Sequence, residues 1–237
     1  MNFKDLEEVK VRLKEISNSG FIKSHRKDNT GIGKTLEDIM DITENNLPSG
    51  DFKIGEAVVE LKAQRRGASS RVTLSTKEPE WMKDKLDTIL KTGYKDKAGR
   101  QGLKVTLNVA KFNAKGYKLE VTDNKISIIH EKIGPVCYFD IPKLIEIIKA
   151  KIGENLLLVL ANVQKKGKDE YFNYNEAIFF SVFDEEAFKQ LIRENKIIWE
   201  FRLHLKPSGA IRDHGSGFRI GRKYLPNLFK NKITLLE

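Results

Sequence analysis

The stretch Asp51 to Lys62, DFKIGEAVVELK, constrains this 237-residue chain more than any other, because it turns back on itself and carries two acids and a lysine at fixed spacing. Gly55-Glu56 has the Gly-X form of a two-residue type II′ hairpin loop, flanked by Ile54 and Ala57. Pairing that continues outward from this turn sets Asp51 opposite Glu60. Directly opposed side chains have Cβ atoms roughly 4.5–5.5 Å apart, and like charges there repel. Beyond the turn Val58, Glu60 and Lys62 share one strand face while Val59, Leu61 and Ala63 share the other, with Glu60 and Lys62 about 6.6 Å apart along the strand. A divalent cation between the acids is expected, since Mg²⁺ is typically held by one or two carboxylates and keeps several waters for substrate phosphates. The expectation fails if the two acids point to opposite faces. A solvated strand face in a charged protein also reads Glu-x-Lys.

The chain has 43 Lys and Arg against 33 Asp and Glu, a net charge of +10, which suits a polyanionic partner as well as ordinary solubility. A single cysteine, Cys137, excludes an internal disulfide framework and a Cys-rich zinc site. His25, His130, His204 and His214 are too scattered to form a metal motif. No apolar run approaches the roughly 20 residues of a membrane span, and MNFKDLEEVK does not read as a signal peptide. A soluble, cytoplasmic protein is expected.

Leu6, Val9, Leu13 and Ile16 lie at helical spacing before Gly20. The polar stretch HRKDNTGIGKT reads as a loop leading into a short helix through Leu36, Ile39, Met40 and Thr43, capped by Thr35 with Asp38 three residues on. Its GIGKT resembles the end of a phosphate-cradling loop, but Asp28 stands where the first glycine belongs and no apolar strand precedes it. Glu37 borders the apolar stripe of that helix, where it can lean toward the Asp51 hairpin or stay solvated. After Lys62 comes the loop AQRRGASSR, whose Arg65, Arg66 and Arg71 suit phosphate contacts. Strands are expected at 71–76, 104–109, 117–121 and 125–130, and helices over 81–91, from Asp140-Ile141-Pro142 onward, and from Asp184 to about Glu194. Leu156 to Ala161, continuously apolar, predicts a central strand covered on both faces. Tyr171–Tyr174 and Ala177–Val182 read as two further strands. A composition break near Lys115-Gly116 places a boundary between 1–115 and 116–237.

From Ile197 to Lys206, Ile197, Trp199, Phe201, Leu203 and Leu205 alternate with Ile198, Glu200, Arg202, His204 and Lys206, a strand with one buried and one polar face. It leads into KPSGAIRDHGSGFRIGRK, where Arg212, Asp213, His214 and Arg219 cluster among glycines. Arg reads guanine bidentately and Asp accepts from the cytosine amino group, so the cluster suits base readout, as it suits a polar loop.

TGIGKTLEDIM (30–40), ENNLPSGDFKIGEAVVELK (44–62), VTLSTKEP (72–79) and RDHGSGFRI (212–220) follow one another in order, and with them the chain resembles the MvaI/BcnI family of type II restriction endonucleases, PD-(D/E)xK nucleases related to the mismatch-repair nickase MutH. The resemblance implies an α/β fold, a mixed sheet flanked by helices, with a catalytic lobe (1–115) and a recognition lobe (116–237) clamping duplex DNA. It implies Mg²⁺ on Asp51 and Glu60, Lys62 positioning or activating the attacking water, and Glu37 completing the acidic site. Arg202 and Arg219, with Asp213 and His214, would meet base edges, and Arg65, Arg66, Arg71, Lys77 and Arg212 are the further expected DNA contacts. Thr76 and Arg212 stand where some relatives have histidine. Family members are typically monomers cutting short, near-palindromic CC-N-GG-type sites, paired in function with a DNA methyltransferase. A repair nickase cutting one strand, and a DNA-binding protein without activity, stay open as alternatives.

Overall fold

The computed structural model of the chain describes residues 2–42, 50–68 and 71–237. Thr43, the ENNLPS run and Ser69-Ser70, all drawn on above, lie outside them. The first segment comprises β1 (Asn2–Phe3), α1 (Leu6–Asn18), β2 (Ile22–Lys23), α2 (Gly31–Ile39), β3 (Phe52–Ile54) and β4 (Ala57–Arg65). Then come β5 (Val72–Ser75), β6 (Glu80–Trp81), α3 (Lys85–Thr92), β7 (Tyr94–Lys95), β8 (Gln101–Leu107), β9 (Tyr117–Val121), β10 (Lys125–His130), β11 (Gly134–Asp140) and α4 (Ile141–Ile152). The remainder is β12 (Asn155–Lys166), β13 (Asp169–Phe183), α5 (Glu185–Arg193), β14 (Ile197–Leu205), β15 (Ile211–Asp213), β16 (Gly217–Ile220), a 3₁₀ turn (Arg222–Leu228) and β17 (Phe229–Leu236).

The chain passes repeatedly between two compact units. The first comprises Met1–Ser70, Lys149–Asp184 and Pro226–Glu237, the second Arg71–Ile148 and Glu185–Leu225. The boundary expected at 115/116 therefore falls inside the second unit. A linear reading cannot find such a division, because strands distant in sequence complete each sheet.

In the first unit a mixed sheet runs β1-β3-β4-β12-β13-β17, with β2 attached to β13. β1 is parallel to β3 and β4 is parallel to β12, the other pairs being antiparallel. Leu156 to Ala161 of β12 are all buried between β4 and β13, which is why that run is continuously apolar. The two strands expected between Tyr171 and Val182 are one, β13, with a register shift opposite Leu160/Ala161. α1 begins at Asp5, whose carboxylate accepts from the Glu7 and Glu8 amides, and it buries Val9, Leu13 and Ile16.

α2 starts earlier than expected. Thr30, not Thr35, is its N-cap, and Gly31 to Lys34 are helical. Thr35 is wholly buried inside the helix, its Oγ1 accepting from the His25 amide at 2.9 Å. A side chain at Gly31 would lie 2.3 Å from Ser24 Oγ and 2.4 Å from the Arg26 carbonyl, so close packing places a glycine where propensity argues against one. GIGKT is thus the first turn of a packed helix rather than a phosphate loop.

The second unit holds an antiparallel sheet β6-β11-β10-β9 and a further antiparallel sheet β5-β16-β14-β8-β7 with β15 on β14. The expected helix over 81–91 is α3, which starts only at Lys85 behind the Asp84 cap, since Trp81 is taken into β6 by pairing with Cys137. Phe139, Trp199, Phe201 and Phe218 pack edge-on or tilted at the centre, with centroid separations of 4.7–5.7 Å.

Candidate functional site

The hairpin turns where the sequence places it. Ile54 pairs with Ala57, Lys53 with Val58 and Phe52 with Val59, and Gly55 has φ +57°, the left-handed value that a II′ turn requires at its first position. The ladder ends there, and the Asp51 amide donates to the carbonyl of Val59, the residue already paired with Phe52, at 2.9 Å. Asp51 Oδ2 in turn accepts from the Leu61 amide at 2.6 Å, which ties its carboxylate across the ladder to the Glu60–Leu61 peptide.

Val59 and Leu61 are buried in the core beneath β4, whereas the Glu60 side chain is 14% exposed and ion-paired to Lys62. Burial pushes the Glu60 carboxyl above its ordinary value, Lys62 opposes that shift, and the Asp51 charge adds to it. The two acids are thus close enough for the Asp51 charge to act on Glu60, and Lys62 alone does not offset the cost of keeping Glu60 ionised.

Glu37 is half-buried on α2, which packs on β4. Its charge helps to raise the Tyr174 hydroxyl pKa, an effect dominated by burial. Among the described residues no group of three or more His, Cys, Asp or Glu side chains could hold a metal. Asp51 and Glu60 are a pair. Two hard oxygen donors with an unfavourable shared charge fit a Mg²⁺-like ion, which needs only one or two carboxylates, and do not fit a caged zinc or calcium site.

The basic residues after Lys62 are engaged within the protein. β4 runs on to Arg65, whose guanidinium donates to Glu170 at 2.6 Å and sits over Phe172, while Arg66 donates to Glu176 at 2.7 Å. In the second unit Arg71 is exposed at the start of β5, and Lys77 is exposed beside a cavity of about 350 Å³ shared with Glu78, Glu80 and Lys143.

The polar face of β14 meets three other strands. Arg202 pairs in register with Lys104 of β8, Glu200 with Thr106 of β8 and Gly217 of β16, and Arg219 of β16 with Ile198. Glu200 Oε2 accepts from Arg202 Nη2 at 2.7 Å and lies 2.8 Å from Arg219 Nε. Arg219 is 8% exposed and also donates to the Gly215 carbonyl at 2.6 Å and to Thr73 Oγ1. Arg202 is exposed.

A cavity of about 460 Å³ opens beside them, lined by Arg100, Lys104, Thr106, Glu200, Arg202 and His214 among others. Asp96 holds Arg100 at 2.8 Å and Lys104 at 3.1 Å. The expected loop residues gather at the same place. Arg212 is exposed opposite His204, Asp213 accepts from the Ser216 amide at 2.6 Å, and His214 stacks on His204 with a 3.0 Å nitrogen contact. Burial and the surrounding Arg100, His214, Lys104 and Arg212 charges lower the His204 pKa, so that ring is neutral at neutral pH.

Sequence reasoning grouped Arg202, Arg212, Asp213, His214 and Arg219, and did not include Glu200, Arg100 and Lys104, which line the cavity with Arg202 and His214. Alternation on β14 put Glu200 on the polar face, but only the register with β8 and β16 shows what it touches.

The whole chain superposes on solved restriction endonucleases, which defines its fold class. It is 23% identical to restriction endonuclease MvaI in complex with cognate DNA, with a TM-score of 0.77 and 98% of each chain covered. MvaI in the absence of DNA is 21% identical, with a TM-score of 0.59 over 98% of this chain and 97% of that one. Among curated proteins, none matches by sequence. The family model for the MvaI/BcnI restriction endonuclease family matches residues 10–229. The chain belongs to the MvaI/BcnI restriction endonuclease family and is a type II site-specific deoxyribonuclease.

Proposed function

We propose that this endonuclease hydrolyses both strands of duplex DNA at a short, near-palindromic CC-N-GG-type site, using Mg²⁺ held by Asp51 and Glu60. The paired acids of the β3–β4 hairpin carry this reading, because two carboxylates are brought together at a net electrostatic cost with a lysine one alternation away. When bound there, a divalent cation supplies Lewis-acid polarisation of the phosphate and a lowered pKa for the attacking water.

The protein's own part is placement. The Leu61 amide fixes the Asp51 carboxylate, burial restrains the Glu60 side chain on β4, and Lys62 offers a positive charge where negative charge develops on phosphorus-bound oxygen. Glu37 contributes a further negative charge from α2. Arg65, Arg66, Arg71 and Lys77 serve the DNA backbone, and Arg202, Arg212, Asp213, His214 and Arg219 serve base readout around the 460 Å³ cavity. On this reading the first unit is catalytic and the second reads sequence. The resemblance to the family also supports a monomer partnered in function by a DNA methyltransferase that protects host sites.

Digestion of unmethylated plasmid and phage DNA with Mg²⁺, beside an EDTA control, followed by sequencing of fragment ends, tests the proposal. Discrete fragments with common ends are expected, and EDTA abolishes them. Nicked circles alone would show a single-strand nickase, and a gel shift without products would remove Asp51, Glu60 and Lys62 from the chemistry.

A further inference from the structure

We propose that Glu200 is a positioning residue that holds Arg202 and Arg219 in a fixed, mutually shielded arrangement before DNA arrives, and that it thereby sets sequence discrimination. The inference rests on the base-readout role assigned above to the two arginines.

Glu200 stands at the crossing of three strands, opposite Thr106 on one side and Gly217 on the other. A side chain at Gly217 would lie 2.3 Å from the Ser75 carbonyl, so β16 is packed close to β5 where it faces Glu200. The position of Arg219 relative to Glu200 is therefore fixed by backbone packing. One carboxylate oxygen, Oε2, serves both guanidinium groups, with Arg202 Nε at 3.0 Å and Nη2 at 2.7 Å, and Arg219 Nε at 2.8 Å. The Glu200 side chain is 14% exposed and that of Arg219 10%, whereas that of Arg202 is 45% exposed.

These facts separate two functions. A guanidinium carries five donors in a rigid fork, and bidentate reading of guanine needs two of them presented in a defined plane. Arg202 turns Nε and Nη2 toward Glu200, so its orientation is set while its outer side stays open. Arg219 is tied by Glu200, Gly215 and Thr73. Without the carboxylate two like charges would face each other at short range on one strand face, and the exposed one would swing into solvent. Burial and the repulsion of Arg202 act against the charged Arg219 guanidinium, and Glu200 supports it. A carboxylate at this place also weakens indiscriminate attraction of phosphates to the basic cavity, which favours the correct base pair over general affinity.

The test uses the full-length enzyme, after end sequencing has mapped the wild-type site. Initial cleavage rates are measured on the mapped duplex and on its single-base-pair variants for wild type, Glu200→Gln, Glu200→Asp, Arg202→Ala and the Glu200→Gln/Arg202→Ala double variant. Thermal unfolding reports which variants fold. Glu200→Gln is expected to lower the ratio of correct-site to altered-site rates about tenfold or more, with non-specific DNA affinity unchanged or higher. Glu200→Asp, which keeps the charge, recovers part of the ratio and carries the test should the Gln variant not fold. In the Arg202→Ala background most of the Glu200→Gln effect disappears. An unchanged ratio in a folded Glu200→Gln enzyme overturns the proposal. So does full additivity with Arg202→Ala, which would make Glu200 a base contact in its own right. A wild-type enzyme that yields no discrete fragments instead overturns the endonuclease specificity on which the inference rests.

Discussion

The β3–β4 hairpin and the polar face of β14 use the same device, charged residues alternating along one strand, and arrive at opposite electrostatic states. At the hairpin Glu60 of β4 has Lys62 as the cation beside it, and burial, with a smaller contribution from the Asp51 charge, raises the Glu60 pKa. On β14 the order is reversed, with two arginines sharing one acid and every short contact charge-complementary. The first arrangement is left short of positive charge, the state that the proposed Mg²⁺ would complete. The second balances its charges within the protein. Chemistry that needs a metal benefits from the first state, and readout of a fixed hydrogen-bond pattern benefits from the second.

The strongest way to break this contrast is at Lys62. Lys62→Ala is expected to lower the cleavage rate by at least about a hundredfold, the usual cost of removing one charge-stabilising donor, while a gel shift shows DNA binding retained. Cleavage at the wild-type rate would show that the lysine only balances Glu60. The two arginines then separate burial from readout. Arg219→Ala removes a nearly buried cation from Glu200, Gly215 and Thr73, and is expected to cost about 3 kcal/mol in urea unfolding together with specificity. Arg202→Ala is expected to cost about 1–3 kcal/mol of base discrimination with little loss of stability, because that side chain is largely exposed. Equal stability losses in the two variants would erase the distinction between a tied and a presenting arginine.

The hairpin was legible in the sequence because its information is local. A Gly-X turn fixes the register from Ile54–Ala57 out to Phe52–Val59, and Asp51 follows at its end, its carboxylate held by the Leu61 amide. The continuously apolar β12 was legible for the same reason. What could not be read depends on pairing across long stretches of chain. Trp81 leaves the helix expected around it because Cys137 pairs with it. Gly31 enters a helix because Ser24 and Arg26 leave no room for a side chain. Glu200 looks like one more polar residue on an alternating strand until β16 brings Arg219 beside it. Arg65 and Arg66 suited phosphate contacts in the sequence, but their ion pairs with Glu170 and Glu176, more than a hundred residues later, could not be read there.

The smallest expected effect probes the unfinished state of the hairpin directly. The Glu60 pKa lies above its ordinary value of 4.5 in the folded protein, chiefly through burial. Between the unfolded and folded values the native chain holds the extra proton, so metal-free stability falls as pH rises through that window and stays lower at neutral pH. Glu60→Gln removes the titration, and Lys62, about a third exposed, keeps its own hydration. The metal-free variant is therefore expected to melt a few degrees above wild type at neutral pH, a shift of the size that about 1 kcal/mol produces in a domain of this length. Below the ordinary carboxylate pKa the two should converge. Mg²⁺ should raise the wild-type melting temperature at neutral pH and leave that of the variant unchanged. A variant that melts lower than wild type without metal would mean that the Glu60–Lys62 pair stabilises the fold outright, and the hairpin would then be as self-sufficient as β14.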